Sequence, residues 1–212
     1  MEKSFQKILQ GYRLFRKKYT DGDQSVMQYL SRYGQKPEIM VTACCDSRVD
    51  PALILQCDPG DLFVVRNVAN IIPPFEDDEA HHDTSAALEF GIRFLKVKHL
   101  ILLGHSQCGG IQALLNNNNY APKNDFIKNW VSLIKINNLD NKTTNMDDYA
   151  KLALQHSYQN CLTFPCINEK ISKQELSIHR WFFDIKTGEI STYSNEQKIY
   201  KPLIEENLTL NP

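Results

Sequence analysis

Glu38-Ile39-Met40-Val41-Thr42-Ala43 runs directly into Cys44-Cys45-Asp46-Ser47-Arg48, and His99-Leu100-Ile101-Leu102-Leu103 runs directly into Gly104-His105-Ser106-Gln107-Cys108-Gly109-Gly110. Each stretch opens as a short apolar run of the length and composition of a buried strand. Each then ends in residues that carry chemistry. A third run, Leu62-Phe63-Val64-Val65, follows the turn Asp58-Pro59-Gly60. Helical signals fill the gaps. Asp50-Pro51 supplies an N-cap and a proline at the first helical position. Residues 84–95 and 109–115 return to helical spacing. This alternation from 38 to 115 predicts an α/β fold: a mainly parallel central sheet flanked by helices. Both reactive stretches then lie beyond the carboxyl ends of strands, where open α/β sheets gather their ligands.

Outward from this centre, Phe5, Ile8, Leu9, Tyr12, Phe15 and Tyr19 recur at helical spacing over residues 4–19. Arg13, Arg16, Lys17 and Lys18 interleave with them and read as the solvated face of an amphipathic helix. A second helix is predicted over 25–33, stopped by Gly34. Residues 1–34 are thus expected to form an N-terminal helical arm on a single domain whose catalytic core is 35–212. Residues 67–83 contain Pro73-Pro74 and the acidic run Glu76-Asp77-Asp78-Glu79, and read as a solvated loop. Asp83 is a possible N-cap for the helix that follows. The asparagines at 116–119 read as a linker. Two further helical patterns hold Phe126, Trp130, Val131 and Ile134, then Tyr149, Leu152 and Ala153. Runs at 176–184 and 189–193, joined by Thr187-Gly188, predict a C-terminal strand hairpin.

Composition narrows the function. The 212 residues carry a formal net charge of -1, so no global field favours nucleic acid or an anionic membrane. No apolar run approaches the ~20 residues of a membrane span. Met1-Glu2-Lys3-Ser4-Phe5-Gln6-Lys7 has no apolar core of a secretory signal. A cytoplasmic, reducing location is expected, with the six cysteines serving as thiols or metal ligands rather than a disulfide framework. Cys45, Cys57, Cys161 and Cys166 are expected to be small core residues.

That leaves Cys44, His105 and Cys108. Two thiolates and one imidazole make a zinc set with three protein ligands and one free position, the arrangement of a catalytic site. The spacing His105-x-x-Cys108 is weak by itself, since about 0.2 such pairs are expected by chance. Its context strengthens it: a strand precedes, Gly109-Gly110 follows, and Cys44 ends another strand. A pair of buried thiols with a surface histidine is the other reading. A phosphate loop is disfavoured, because the Gly-Lys-Ser/Thr ending is absent. Asp46 and Arg48, two residues apart, can form an ion pair that keeps the carboxylate ionised and oriented. Released from it, Asp46 could take zinc's fourth position itself.

These stretches resemble the β-class carbonic anhydrases, in the plant-like, open-site form. Cys44-Cys45-Asp46-Ser47-Arg48 matches that family's first signature and Gly104 through Gly110 its second. The stretch from Pro59 to Asn70 resembles the connecting strand and loop, and the likeness resumes at Trp181-Phe182-Phe183-Asp184. The resemblance implies one Zn2+ per chain on Cys44, His105 and Cys108, with Asp46 able to join them. It implies Asp46 and Arg48 as a catalytic dyad. Gln35, Phe63, Val68, Phe90 and Gly109 would bind substrate: an amide, an apolar wall and a backbone N–H. Phe90 stands where some members carry Tyr, and Val41 where bicarbonate-inhibited members carry Trp. Adjacent His81 and His82 are candidates for a proton shuttle.

The implied reaction is reversible hydration of CO2 to bicarbonate and a proton by zinc-bound hydroxide, a lyase activity, in a homodimer or dimer of dimers. Alternatives on the same scaffold are hydrolysis of carbonyl sulfide or carbon disulfide, or a structural zinc site without turnover. Two thiolates offset zinc's charge, so activity is expected to rise through mildly alkaline pH.

Overall fold

The computed structural model describes residues 2–22, 24–78, 80–115, 125–135 and 145–204. The 116–119 linker and Glu79 lie outside the described residues. Strands β1 (Ile39–Cys44), β2 (Leu62–Asn67), β3 (His99–His105), β4 (Ser177–Phe183), β5 (Ile190–Ser194) and β6 (Ile199–Pro202) build one sheet. Their order is β2-β1-β3-β4-β5-β6. The first four strands in that order run parallel, and β5 and β6 turn back antiparallel. The expected mainly parallel sheet and closing hairpin are present, and β6 extends the hairpin by one strand that had no clear sequence signal.

Parallel pairing requires crossovers, and helices supply them. The helices are α1 (Lys3–Tyr19), α2 (Val26–Tyr33), α3 (Pro51–Ile54), α4 (Asp83–Glu89), α5 (Gly109–Leu115), α6 (Phe126–Val131), α7 (Met146–Cys161) and α8 (Pro165–Ser172). Alternation along β1 and β3 fills a core on each face. Val41, Ala43, Ile101 and Leu103 join one apolar cluster. Met40, Leu100 and Leu102 join the other, with Leu88, Ile92, Leu154 and Ile167. Burial on both faces explains why these strands read as continuous apolar runs. Register then positions the reactive stretches. Ala43 pairs with Leu103, so β1 and β3 deliver Cys44 and His105 to the same end of the sheet.

Several local features depart from the sequence reading. Helical spacing over 84–95 is realised as α4 followed by a π-helical turn, Phe90–Leu95. Asp83 is not the N-cap; His82 occupies that position, and Asp83 places its charge in the first turn, where the helix dipole favours it. The 67–83 loop opens with a tight turn at Val68–Asn70, with Ala69 at φ 63°. Asn67 holds that turn, accepting from Ile71 N–H at 2.8 Å and donating to Ile71 O at 2.9 Å. Cys161 and Cys166 are buried as expected, but Cys45 is exposed and Cys57 half-buried. Cys45 lies past the last residue of β1, where the chain leaves the sheet.

Neither α1 nor α2 contains a buried residue among those described. Phe5, Ile8 and Tyr12 are 52%, 66% and 59% exposed. The apolar stripe of α1 therefore finds no core beneath it within one chain. The arm is held at its far end, where Tyr19 Oη and Lys18 Nζ both donate to Asp58. No helix among the described residues is long and apolar enough to cross a membrane.

The turn at Val68–Asn70 packs against α5 at Gly110. A Cβ on Gly110 would lie 2.8 Å from Ala69 Cβ and 2.8 Å from Val68 Cγ1, whereas one on Gly109 would meet nothing within 4 Å. Gly110→Ala is expected to destabilise by about 1–3 kcal/mol. Gly109→Ala should leave stability unchanged or slightly raised. Thermal unfolding of both variants checks the contrast, and equal behaviour would contradict this packing.

Candidate metal centre

Strand ends place three chemically suited side chains together. Cys44 ends β1, His105 ends β3, and Cys108 precedes α5. All three are buried, and one ligand atom from each lies within 4.8 Å of the others. His105 Nδ1 is 2.8 Å from Ser106 O. A carbonyl only accepts, so Nδ1 carries the proton and Nε2 presents its lone pair. That Nε2 is buried without a hydrogen-bond partner among the described residues. A buried acceptor left unpartnered beside two thiols suits a cation held among them.

The thiols agree with this. The adjacent Cys108 thiol draws Cys44 down to about 4, opposed by burial and helped by His105 and by the Asp46 and Ala69 N–H groups. The adjacent Cys44, with burial and the Cys44 charge, pushes Cys108 far up. One thiol ionises readily and the second resists, because two adjacent buried negative charges are unfavourable without a cation. A divalent, thiophilic ion would remove that conflict. The donor set fits zinc in number, type and softness, and leaves one position of a tetrahedron free.

Asp46 stands beside this set. Arg48 Nε donates to its Oδ1 at 3.0 Å and Arg48 Nη2 to its Oδ2 at 2.7 Å, a two-pronged pair. The Arg48 backbone N–H adds a third bond at 3.0 Å. The side-chain pairing first, and the backbone bond after it, hold Asp46 well below the usual carboxylate range. The expected ion pair is therefore formed. Arg48 Nη2 also donates to Gln107 O at 3.2 Å, linking the two reactive loops.

Other side chains fix these loops, and sequence reading missed them. Arg66 donates to Cys44 O at 3.0 Å, Asp46 O at 2.8 Å and Asp50 Oδ2 at 2.7 Å. Asp50 in turn caps α3, as its sequence position predicted. Ser106 Oγ accepts from Ile185 N–H at 2.9 Å, and its own N–H donates to Phe183 O at 2.9 Å. Asp147 Oδ1 accepts from Gln107 N–H at 2.8 Å. The partners of Arg66, Ser106 and Asp147 are mostly backbone groups, which leave no spacing signal.

The substrate candidates divide into two groups. Val68 and Gly109 lie at the metal end: Val68 borders Gly110, and its carbonyl accepts from Trp130 Nε1 at 2.8 Å. Phe63 does not; it pairs with Met40, which lies four residues before Cys44, about 13 Å along the strand. Phe90 packs on Phe63 with ring centroids 5.8 Å apart. Gln35 is exposed just before β1, again at the amino end of the sheet. One chain therefore does not bring Gln35, Phe63 or Phe90 to its own Cys-His-Cys set. A second cluster, Glu76, Asp78 and His82, also offers converging ligand atoms, but none of the three is buried. His82 Nε2 there sits 2.7 Å from Asp78 Oδ1.

Known proteins resemble this chain in sequence and in fold. The family model described as carbonic anhydrase matches residues 39–190. A carbonic anhydrase of Synechocystis sp. is 34% identical over 196 residues, covering 89% of this chain and 70% of that protein. The solved structure of the beta-carbonic anhydrase CcaA superposes with a TM-score of 0.83 at 30% identity, over 97% of this chain and 94% of that one. A tetrameric beta-carbonic anhydrase from Sordaria macrospora gives a TM-score of 0.74 at 30% identity, over 90% and 97%. With the family's matched region enclosing both strand-end loops, the chain belongs to the β class of the carbonic anhydrases.

Proposed function

We propose that this chain hydrates CO2 reversibly to bicarbonate and a proton, using zinc held by Cys44, His105 and Cys108. The observation that carries this is the buried two-thiol, one-imidazole set with an unpartnered His105 Nε2, beside a carboxylate already paired elsewhere. Bound there, zinc would supply a Lewis acid that lowers the pKa of a coordinated water, though less than with three neutral imidazoles, because two thiolates offset its charge.

The chain's own groups do the rest. Arg48 keeps the Asp46 carboxylate ionised and turned toward itself, so Asp46 is an acceptor and not a fourth ligand. One Asp46 oxygen can accept a hydrogen bond from the attacking water or hydroxide and orient its lone pair toward carbon. CO2 is apolar and hydrogen-bonds poorly, so it needs the wall that Val68 begins. Product bicarbonate is charged, and Gly109 N–H can meet one of its oxygens. The released proton leaves to buffer, with His81 and His82 as candidate relays.

The working unit is proposed as a homodimer or dimer of dimers, with CO2 or bicarbonate as its small-molecule partner. A second copy would bring Gln35, Phe63 and Phe90 to the pocket that one chain leaves open. Supporting this, Phe90 and neighbouring Phe94 are 42% and 69% exposed although stacked on each other. The unburied arm offers a second apolar surface for the same association. A cytoplasmic location is supported by six cysteines that are all free thiols.

Stopped-flow CO2 hydration by the zinc-loaded protein should show turnover that rises from neutral to alkaline pH. Asp46→Asn should lower it about 100-fold, the scale of a lost proton-orienting group. A flat pH profile, or hydrolysis of carbonyl sulfide without CO2 hydration, would contradict the proposal. Zinc should also protect Cys44 and Cys108 from a thiol reagent. Chelation should add a reactive thiol at Cys44 in the folded chain, and no added thiol would place zinc elsewhere.

A further inference from the structure

Gln107 occupies a left-handed backbone conformation at φ 53°, which disfavours any side chain beyond Cβ-free glycine by roughly 1–2 kcal/mol. No glycine stands there to relieve it. Instead, both backbone polar groups of Gln107 are engaged by side chains from other elements. Its N–H donates to Asp147 Oδ1 at 2.8 Å. Its carbonyl accepts from Arg48 Nη2 at 3.2 Å, and that same nitrogen donates to Asp46 Oδ2 at 2.7 Å. Asp147 is itself fixed: it lies in the first turn of α7, and its backbone N–H donates to the Asn145 cap at 3.0 Å. The first turn of a helix favours the carboxylate's charge, and a charged acceptor makes a strong bond to N–H.

We infer that Asp147 is a positioning residue for the Asp46–Arg48 pair, acting through the Gln107 peptide. The chain of contacts is Asp147, Gln107 N–H, Gln107 carbonyl, Arg48 Nη2 and Asp46. Asp147 fixes the N–H on one side of the Gln107 Cα and so holds the unfavoured φ, and the carbonyl presented on the other side gives Arg48 its anchor on the opposite loop. Arg48 is 46% exposed, and without that anchor its side chain would rest on Asp46 alone. The pair then loosens, and the Asp46 carboxylate competes for the metal's open position. Asp147 touches neither metal nor substrate; its effect is on whether Asp46 stays with Arg48. This inference rests on the proposed zinc site and its reaction.

The test uses the full chain with zinc, and with Co2+ in its place as a spectroscopic probe, in Asp147→Ala and Asp147→Asn. Asparagine keeps an Oδ1 acceptor without the charge and should fall between wild type and alanine. Asp147→Ala should lower kcat about tenfold, the size of one lost charge-assisted hydrogen bond in this range. KM should stay near wild type, and the visible Co2+ bands should shift as a carboxylate joins the metal. Should Asp147→Ala not fold, Asp147→Glu, which displaces the acceptor by one methylene, should shift the bands in the same direction. A wild-type Co2+ spectrum in the alanine variant, or an asparagine variant as impaired as alanine, would overturn the inference. If the wild-type protein hydrates no CO2, the proposed reaction fails, while the Co2+ spectra still decide the role of Asp147.

Discussion

Two buried thiols that cannot both ionise in their own company set the terms for this molecule. The sulfurs of Cys44 and Cys108 lie within 4.8 Å of each other, so the neighbouring thiol draws Cys44 down, while Cys44 and burial push Cys108 up. His105 adds a lone pair with no partner among the described residues. A cation of charge two resolves all three demands at once. The folding of β1 and β3 side by side creates that pressure, because their register brings Cys44 and His105 to one sheet end. The sheet thus gathers a donor set suited to a cation, and binding one there would add to stability.

Around that centre the protein controls where Asp46 points. Its carboxylate would be a good zinc ligand, and leaving it free would close the site. Arg48 engages both oxygens, Gln107 engages Arg48, and Asp147 engages Gln107. Arg66 separately ties down the carbonyls of Cys44 and Asp46. The loop carrying the carboxylate is therefore fixed from the strand side and from the helix side. Such outer contacts tune metal sites as much as the ligands do.

Much of this was legible in the chain. Continuous apolar runs at β1 and β3 announced strands buried on both faces, and the ligand-type residues directly behind them announced a strand-end site. Asp50-Pro51 announced α3 through local capping chemistry. Less was legible where structure depends on distant partners. β6 is a short antiparallel strand supported by its neighbour, without a strong pattern of its own. α8 begins at Pro165 in a stretch lacking a long periodic stripe. The exposure of Cys45 follows from the end of β1, one residue earlier. Phe63 and Phe90 were expected beside the metal, yet the register of β2 puts them at the far end of the sheet. Their proposed place in a pocket would need a second copy, which a single chain's pattern does not encode.

Zinc-edge X-ray absorption on the metal-loaded protein addresses the centre most directly. The account predicts two sulfur ligands near ~2.3 Å and two nitrogen or oxygen ligands near ~2.0–2.1 Å, one of these light ligands being exchangeable and therefore not His105. A third sulfur would bring Cys45 into the site and contradict the open three-ligand arrangement. So would four fixed protein ligands, with Asp46 bound and Arg48 released.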